Sequence, residues 1–112
     1  MRRGDIVIVS MSGDFGKPRP AVVVQTNALP QSYSSVMICP ITSTIVDLDF
    51  RILIEPSVEN GLRLRSQVMT DKVGSVLRSK VGPIIGHVDE ETLRRLNGML
   101  VFLLALTETE NI

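Results

Sequence analysis

The chain has 112 residues, which suffice for one compact domain and leave no room for two. Twelve basic and twelve acidic side chains cancel, so the net charge gives no indication of an anionic partner, and a nucleic-acid site would have to come from local clustering. The hydrophobic fraction is 44% and the aromatic fraction only 4%, which predicts an aliphatic core.

Several function classes lack their sequence signals. The longest apolar run, from Met99 to Leu106, is far shorter than the roughly 18 residues of a membrane span, and Met1 to Arg3 lead straight into a strand pattern without a signal-peptide apolar region. Cys39 is the single cysteine and His87 the single histidine, so neither a disulfide nor a usual zinc-ligand spacing is present. There is no Walker loop and no dinucleotide fingerprint. We therefore expect a cytoplasmic protein without metal or cofactor.

The first half of the chain predicts three strands separated by polar loops. They are Asp5 to Ser10, Ala21 to Gln25 and Ser35 to Thr42. Pro40 lies inside the third strand, and because proline cannot donate to a ladder, we expect a bulge or an edge position there. A bulge would re-aim Thr42 and Ser43, which follow directly.

The second half predicts further short strands. They are Asp49 to Glu55, Leu62 to Arg65, Gln67 to Thr70, Gly74 to Arg78 and a short strand around Ile84 and Ile85. Asn60-Gly61 is a strong turn signal between the first two. The sum is a mainly β (α+β) fold: a strongly twisted, mostly antiparallel sheet of six or seven strands that closes toward a small barrel, followed by a C-terminal helix.

The helix signals are at the C-terminal end of the chain. Asp89 is a good N-cap, and Glu90 and Glu91 place negative charge in the first turn. The residues on one face at helical spacing are Leu93, Leu96, Leu100, Leu103 and Leu104. From Met99 onward the helix is apolar almost all round, which predicts burial against the sheet on one side and a second subunit on the other. The alternative to this homodimer is a helix wrapped by its own sheet.

The stretch from Gly16 to Gln25 joins a loop punctuated by glycine and proline to a run of β-branched residues typical of a buried strand. Pro18 and Pro20 restrict the backbone around Arg19, so its guanidinium has a limited set of positions at the mouth of the strand. A planar donor held in this way suits bidentate binding of a phosphate or a carboxylate. The alternative is a solvated charge in a hairpin loop.

Polar side chains accumulate near the predicted strand ends. They are Arg19, Thr42, Ser43, Asp71, Lys72, Ser75, Arg78 and Lys80. One reaction can run on these residue types without metal or histidine, namely cleavage of RNA by its own 2′-hydroxyl, because the substrate supplies the nucleophile. The protein then has to orient the ribose and phosphate, move a proton, and stabilise the charge of the transition state, for which hydroxyls, an aspartate and a fixed arginine are suited. Single-stranded RNA also accounts for basic residues that alternate along an exposed strand.

Four segments carry a resemblance to a known family. They are Arg3-Gly4-Asp5-Ile6-Val7, Gly16-Lys17-Pro18-Arg19-Pro20-Ala21-Val22-Val23-Val24-Gln25, Pro40-Ile41-Thr42-Ser43 and Val68-Met69-Thr70-Asp71-Lys72-Val73. In this order and spacing, and with a terminal amphipathic helix, residues 1–112 resemble a single toxin domain of the MazF/PemK family of endoribonucleases from bacterial toxin–antitoxin modules.

The resemblance implies an SH3-like small barrel, a homodimer and metal-independent cleavage of single-stranded RNA at short sequences, with a 2′,3′-cyclic phosphate and a 5′-hydroxyl as products. A cognate antitoxin would occupy the RNA groove with a flexible acidic segment. Matched position by position, Arg19 corresponds to the arginine that stabilises the transition state, Thr42 to the hydroxyl beside the phosphate and Asp71 to an acid proposed as base. The candidates for RNA contact are Lys17, Ser43, Lys72, Asp14, Ser75 and Arg78.

Two alternatives of another kind remain at this point. The segment from Met69 to Val76 and the closing helix are also similar to the gyrase-poisoning toxin CcdB, which would make the chain a non-catalytic inhibitor. The chain carries no terminal tryptophan, and it has the Arg19 and Thr42 pair that a gyrase binder would not need. The second alternative is a catalytically inactive module that only binds an antitoxin.

Overall fold

The computed structural model describes residues 1–10 and 17–107. Within these residues the chain forms seven strands, one α-helix and two single-turn 3-10 helices. The strands are β1 (Asp5–Ser10), β2 (Pro18–Val23), β3 (Ser35–Thr42), β4 (Ile52–Ile54), β5 (Ser66–Val68), β6 (Gly74–Leu77) and β7 (Val81–His87). The α-helix is α1 (Glu90–Leu103), and the 3-10 helices are Thr70–Lys72 and Arg78–Lys80.

All strand pairs in the described residues are antiparallel, in the order β4-β5-β3-β2-β1-β7, with β6 also paired to β3. This order does not join β4 to β7, so the described strands form an open sheet rather than a closed barrel. The turn after β4 nevertheless approaches the far edge, where the His87 amide donates to the Glu59 carbonyl over 2.9 Å. The predicted mainly-β architecture with a C-terminal helix is confirmed.

Strand β3 is central in this sheet, so the predicted edge position for Pro40 is wrong. On one side β3 pairs with β2, and on the other it pairs first with β6 and then with β5. The Pro40 carbonyl accepts a hydrogen bond of 2.8 Å from the Met69 amide, so its nitrogen also faces the β5 and β6 side. The N–H that Pro40 lacks would point to the place where the partner of β3 changes from β6 to β5. Neither of these two ladders therefore loses a hydrogen bond because of the proline.

Two aliphatic clusters cover the two faces of the sheet, because successive strand side chains point to opposite faces. The cluster under α1 consists of Ile6, Val22, Cys39, Ile41, Ile52, Ile54, Val68, Val88, Leu96 and Leu100. The cluster on the other face consists of Val7, Val9, Ala21, Val23, Val36 and Ile38. Burial raises the pKa of the Cys39 thiol to about 12, which keeps it protonated and unreactive at neutral pH.

Strand β2 begins at Pro18, three residues before the predicted start, and ends at Val23. The reason is pairing with β1, which holds Val9 opposite Arg19 and Ser10 opposite Pro18. Arg19 is consequently part of the sheet and half-buried, so the loop position considered for it is wrong.

Two predictions for the second half are also corrected. Residues Leu62 to Arg65 are irregular, with a bend at Arg63 and Leu64, instead of a strand, because Gly61 has a φ of +69° and redirects the chain before β5 begins. Strand β7 extends from Val81 to His87, well beyond the short strand expected around Ile84 and Ile85. Register shifts in its pairing with β1 accommodate this glycine- and proline-containing segment.

Helix α1 begins as predicted, since the Asp89 side chain accepts a 2.7 Å hydrogen bond from the Thr92 amide. Leu96 and Leu100 face the core, whereas Val101, Phe102 and Leu104 are 39%, 67% and 52% exposed. The alternative in which the sheet wraps the helix on several sides is therefore wrong, and the outer apolar surface is open in a single chain. No helix in the described ranges has the length and apolar character needed to cross a membrane.

Candidate functional site

Arg19 and Thr42 lie at the same end of two neighbouring strands. The last pair of the β2–β3 ladder is Ala21 with Pro40, and continuing that register by two residues on each strand would place Arg19 opposite Thr42. Ala21 and Pro40 form a non-hydrogen-bonded pair, because the backbone groups of Pro40 face β5 and not β2. Hydrogen-bonded and non-hydrogen-bonded pairs alternate along an antiparallel ladder, so Arg19 and Thr42, two residues farther on, would also form a non-hydrogen-bonded pair. Such pairs bring their Cα atoms to about 4.5 Å and their side chains to one face. Both side chains are half-buried, and neither is sealed in the core.

The hydroxyl of Thr42 is oriented by the turn that follows it. Its Oγ1 accepts a 3.1 Å hydrogen bond from the Thr44 amide. A hydroxyl has one donor besides its acceptor lone pairs, so the Thr42 proton can be given to a ligand. Ser43, the next residue, is exposed and adds a second hydroxyl at the same strand end.

A cavity of about 440 Å³ opens beside this strand end. Its polar lining residues are Arg19, Ser43, Arg63 and Ser66, and Ile8, Leu62 and Ile85 are among its apolar walls. A site of this size with a few convergent polar groups is typical of small-molecule binding, and two guanidinium groups with a hydroxyl favour an anion. The sequence assigned no role to Arg63; its alternation with leucines indicated an exposed basic side chain but not the turn that brings it here.

Asp71 is held by an ion pair with Arg51. The Arg51 Nε donates to Asp71 Oδ1 over 2.8 Å and its Nη2 to Oδ2 over 3.1 Å, which is the bidentate arrangement. This hydrogen bonding from Arg51 is the main reason why the pKa of Asp71 lies below its ordinary value. A carboxylate with a lowered pKa is a weak base, so the predicted proton-accepting role has little support in this geometry. Lys72, next to it, is exposed.

The remaining predicted RNA contacts are spread along the sheet. Lys17 is exposed and directly precedes β2, at the end that carries Arg19. Ser75 pairs with Met37, which at strand rise lies about 17 Å along β3 from Thr42. Arg78 is farther away, because its Nε donates to the Tyr33 carbonyl just before β3 begins. Arg19 and Arg78 thus lie at opposite ends of the sheet, and Asp14 lies outside the described residues.

Neither a metal site nor the single histidine contributes to this strand end in the described residues. In the described part of the chain, no three histidine, cysteine, aspartate or glutamate side chains lie together as a metal-binding group. His87 is exposed and pairs with Asp5 at the start of β1, whereas Arg19 pairs with Val9 near its end. The histidine is therefore at the far end of β1 from the candidate site.

Comparisons with known proteins give one consistent result. The sequence profile of a family described as PemK-like, MazF-like toxin of type II toxin–antitoxin system matches residues 2–104. A probable endoribonuclease MazF of Mycolicibacterium smegmatis is 38% identical over 106 residues, which cover 92% of this chain and 96% of that protein.

Solved structures show the same fold. An endoribonuclease in complex with its cognate antitoxin from a mycobacterial species superposes with a TM-score of 0.80 at 20% identity, covering 97% of this chain and 99% of that one. A MazE–MazF structure from Deinococcus radiodurans gives a TM-score of 0.76 at 22% identity, covering 93% and 94%. The family match over most of the chain and the 38% identical relative make this chain a member of the PemK-like, MazF-like toxins of type II toxin–antitoxin systems.

Proposed function

We propose that this toxin is an endoribonuclease that cleaves single-stranded RNA at short sequences, using the 2′-hydroxyl of the RNA as the nucleophile. The observation that supports it best is the cavity that Arg19, Ser43 and Arg63 line, next to the end of β3 that carries the half-buried Thr42. The relative with 38% identity carries the name of an endoribonuclease, which agrees with this assignment.

In the reaction, the 2′-oxygen attacks the adjacent phosphorus and the 5′-oxygen of the next nucleotide leaves. The products are a 2′,3′-cyclic phosphate and a 5′-hydroxyl; the 2′-oxygen loses a proton and the leaving oxygen gains one. Arg19 donates to the non-bridging oxygens as their charge grows, a role for which a fixed fork is suited. Thr42 and Ser43 donate hydroxyl hydrogen bonds that orient the phosphate.

The cavity beside Arg19 suits a nucleotide. Its volume lies in the usual range for bound small molecules, about 300–1,000 Å³. Arg63, which lines the cavity, and Lys17, which is exposed just before β2, would contact neighbouring phosphates, which would make binding sensitive to salt. The apolar walls around Leu62 and Ile85 offer a surface for a base, in place of the aromatic rings that this chain lacks among its cavity-lining residues.

The partners that we propose follow from the toxin family. A cognate antitoxin would cover the same cavity, with acidic side chains against Arg19 and Arg63. Residues 1–112 would act as one toxin domain in the cytoplasm, where RNA is available. A second copy would cover the exposed apolar end of α1 at Phe102 and Leu104, so the purified protein should have twice the chain mass by light scattering.

Gyrase poisoning is the other function considered from the sequence, and the comparisons do not favour it. The matching family profile is that of PemK-like and MazF-like toxins, over residues 2–104. Inhibition of supercoiling without RNA damage would be the corresponding observation, and it is the outcome that would reverse this preference.

The decisive experiment is an RNA cleavage assay with EDTA present. We expect endonucleolytic cuts by the wild type, and in Arg19→Ala a loss of about 2–4 kcal/mol of transition-state stabilisation, as for removal of one charge-stabilising donor. Arg94→Ala, on the exposed side of α1, is the matched control and should cleave like the wild type. An unchanged kcat in Arg19→Ala would show that the assignment of this arginine is wrong.

A further inference from the structure

The segment from Ser43 to Arg51 follows the end of β3 at Thr42 and contains neither helix nor strand. Three of its four apolar residues, Ile45, Val46 and Leu48, are exposed, and Phe50 is half-buried, so burial contributes little to holding it. A segment with few buried contacts needs other restraints if the groups at its start are to keep one position. Among these restraints are three polar side chains, those of Gln67, Arg51 and Asp71.

Gln67 provides the first restraint. It pairs with Thr42 in the β3–β5 ladder and is buried. Its Nε2 donates to the Val46 carbonyl over 2.8 Å, and its Oε1 accepts from the Val46 amide at 3.4 Å. The side-chain amide of Gln67 therefore binds both the N–H and the carbonyl of Val46. It holds the segment next to β5, at the position that pairs with Thr42.

Arg51 and Asp71 complete the arrangement. Arg51 Nη1 donates to the same Oε1 of Gln67 over 3.3 Å, while its other donors bind both carboxylate oxygens of Asp71. The Arg51 side chain is only 9% exposed and that of Asp71 27%. The Thr70 hydroxyl donates to the Phe50 carbonyl, which ties the same two elements together again. We refer to Gln67, Arg51 and Asp71 as the loop clamp.

The loop clamp leaves Asp71 poorly suited to accept a proton. A general base needs a free lone pair directed at the 2′-hydroxyl and a pKa near the working pH. Both oxygens of Asp71 already accept hydrogen bonds from Arg51.

We propose that the loop clamp holds the segment from Ser43 to Arg51 so that Thr42 and Ser43 meet the scissile phosphate, and that Asp71 serves the reaction as a positioning residue. This inference rests on the proposed ribonuclease function. It assigns a role to Arg51 and Gln67. In it Asp71 does not transfer a proton but helps to orient the residues that contact the phosphate. Because small displacements of reacting groups lower rates strongly, the effect belongs in kcat and not in RNA binding.

The test is single-turnover cleavage of an RNA oligonucleotide by the full chain, as a function of pH, for Asp71→Asn, Arg51→Lys and the double variant. We expect each single variant to lose about 10–100-fold in rate, as for a misplacement of about 1 Å, with the wild-type shape of the pH profile kept. The double variant should be no slower than the slower single variant, because either change opens the same clamp. Glu91→Gln, which breaks an exposed ion pair on α1, is the matched control and should keep the wild-type rate.

Three results would overturn the proposal. The first is an unchanged rate in Asp71→Asn, which would limit the clamp to a structural role. The second is a much larger loss in Asp71→Asn than in Arg51→Lys together with disappearance of the acidic limb of the pH profile, which would identify Asp71 as the base. The third is additive losses in the double variant. Should Asp71→Asn fail to fold, Arg51→Lys carries the comparison with the wild type.

Hydrogen exchange separates a failure of this inference from a failure of the proposed function. The Val46 amide is bonded to Gln67, so its exchange should become faster in Asp71→Asn and stay unchanged in Glu91→Gln, whether or not RNA is present. If the wild type cuts no RNA, the ribonuclease proposal fails while this measurement still decides on the clamp. Unchanged exchange at Val46 in Asp71→Asn would overturn the clamp itself.

Discussion

Two segments border the candidate site, and they are held in different ways. The segment from Ser43 to Arg51 is held by the side chains of the loop clamp. The turn from Ser57 to Gly61 is held by backbone packing on β7: a Cβ at Gly61 would lie 2.1 Å from the Ile85 carbonyl oxygen, and one at Gly86 would lie 2.4 Å from the Glu59 oxygen. The segment from Ser43 to Arg51 is therefore held by polar side chains, whereas the turn from Ser57 to Gly61 is held by close backbone contacts.

The two borders also differ in the range of their hydrogen bonds. In the turn, Asn60 bonds to residues two to five positions away, at Ser57, Glu55 and Leu62. The bonds of the loop clamp join residues 16 to 21 positions apart. The turn can thus form locally and early, whereas the clamp requires the assembled sheet. We infer that damage to the turn lowers stability, and that damage to the clamp lowers activity first.

The largest effect should follow from filling the contact between the turn and β7. In Gly86→Ala the new Cβ would lie 2.4 Å from the backbone carbon of Asn60 and from the Glu59 oxygen, so one backbone has to move. We expect a loss of about 3 kcal/mol in the free energy of unfolding, at the upper end for overpacking, measured by urea denaturation.

Gly98 offers the matched control, because a Cβ there meets nothing within 4 Å. Gly98→Ala should stabilise α1 by about 0.5–1 kcal/mol, the usual gain in an exposed helix interior. Similar unfolding free energies for the two alanine variants would mean that the turn and β7 separate easily, and the contrast between the two borders would be lost.

A smaller loss is expected from Asn60→Ala. This buried side chain accepts from the amides of Ser57 and Leu62 over 3.0 and 2.9 Å and donates to the Glu55 carbonyl over 2.8 Å. Its removal leaves these backbone groups without a partner and should cost about 2 kcal/mol. The measurement is again urea denaturation, with Asn97→Ala as control: that asparagine is exposed and accepts one hydrogen bond, from Arg3, so its loss should stay within about 0.5 kcal/mol. Equal losses in both variants would contradict the role given to Asn60.

The difference in range explains which parts of the fold could be predicted from the sequence. Strands β1 and β3 begin and end where alternation and composition predict, and the Asn60-Gly61 turn and the Asp89 cap have local chemistry that identifies them. The interval from Leu62 to Arg65 has the same alternation as a strand, yet it follows a positive-φ glycine and pairs with no strand in the described residues. Pattern alone does not distinguish these cases, because a strand also needs a neighbour.

The site divides in the same way. Arg19 and Thr42 could be singled out because proline flanks and a strand end mark their positions, and both lie at the same end of the neighbouring strands β2 and β3. Nothing near Arg51 in the sequence indicates that it would bind Asp71, and Arg63 lines the cavity only because Gly61 turns the chain. The charge of Arg78 predicts an RNA contact, but the strand order puts this residue at the other end of the sheet.

The smallest effect is expected in the stability of the protein at acidic pH. The pKa of Asp71 is lowered in the folded chain, mainly by its hydrogen bonds from Arg51, so the folded state holds the charged carboxylate more strongly than the unfolded state does. The resulting stability is complete above the ordinary value of 3.8 and is lost as the pH falls through the lower folded pKa. Since Asp71 is partly exposed and screened, the loss should not exceed about 1 kcal/mol.

Asp71→Asn isolates this contribution. The wild type should be more stable than the variant at pH 6, and the difference should shrink by pH 3, as measured by urea denaturation at both values. The capping carboxylate of Asp89, whose pKa is also lowered, remains in both proteins and cancels in the comparison. A difference that stays constant between these pH values would mean that the substituted amide disturbs packing and that the charge of Asp71 contributes nothing. A difference in unfolding free energy that shrinks toward pH 3 would show that the charge of Asp71 contributes to stability. If the cleavage rate of Asp71→Asn at neutral pH falls by more than this free energy accounts for, the clamp matters more for orientation than for stability.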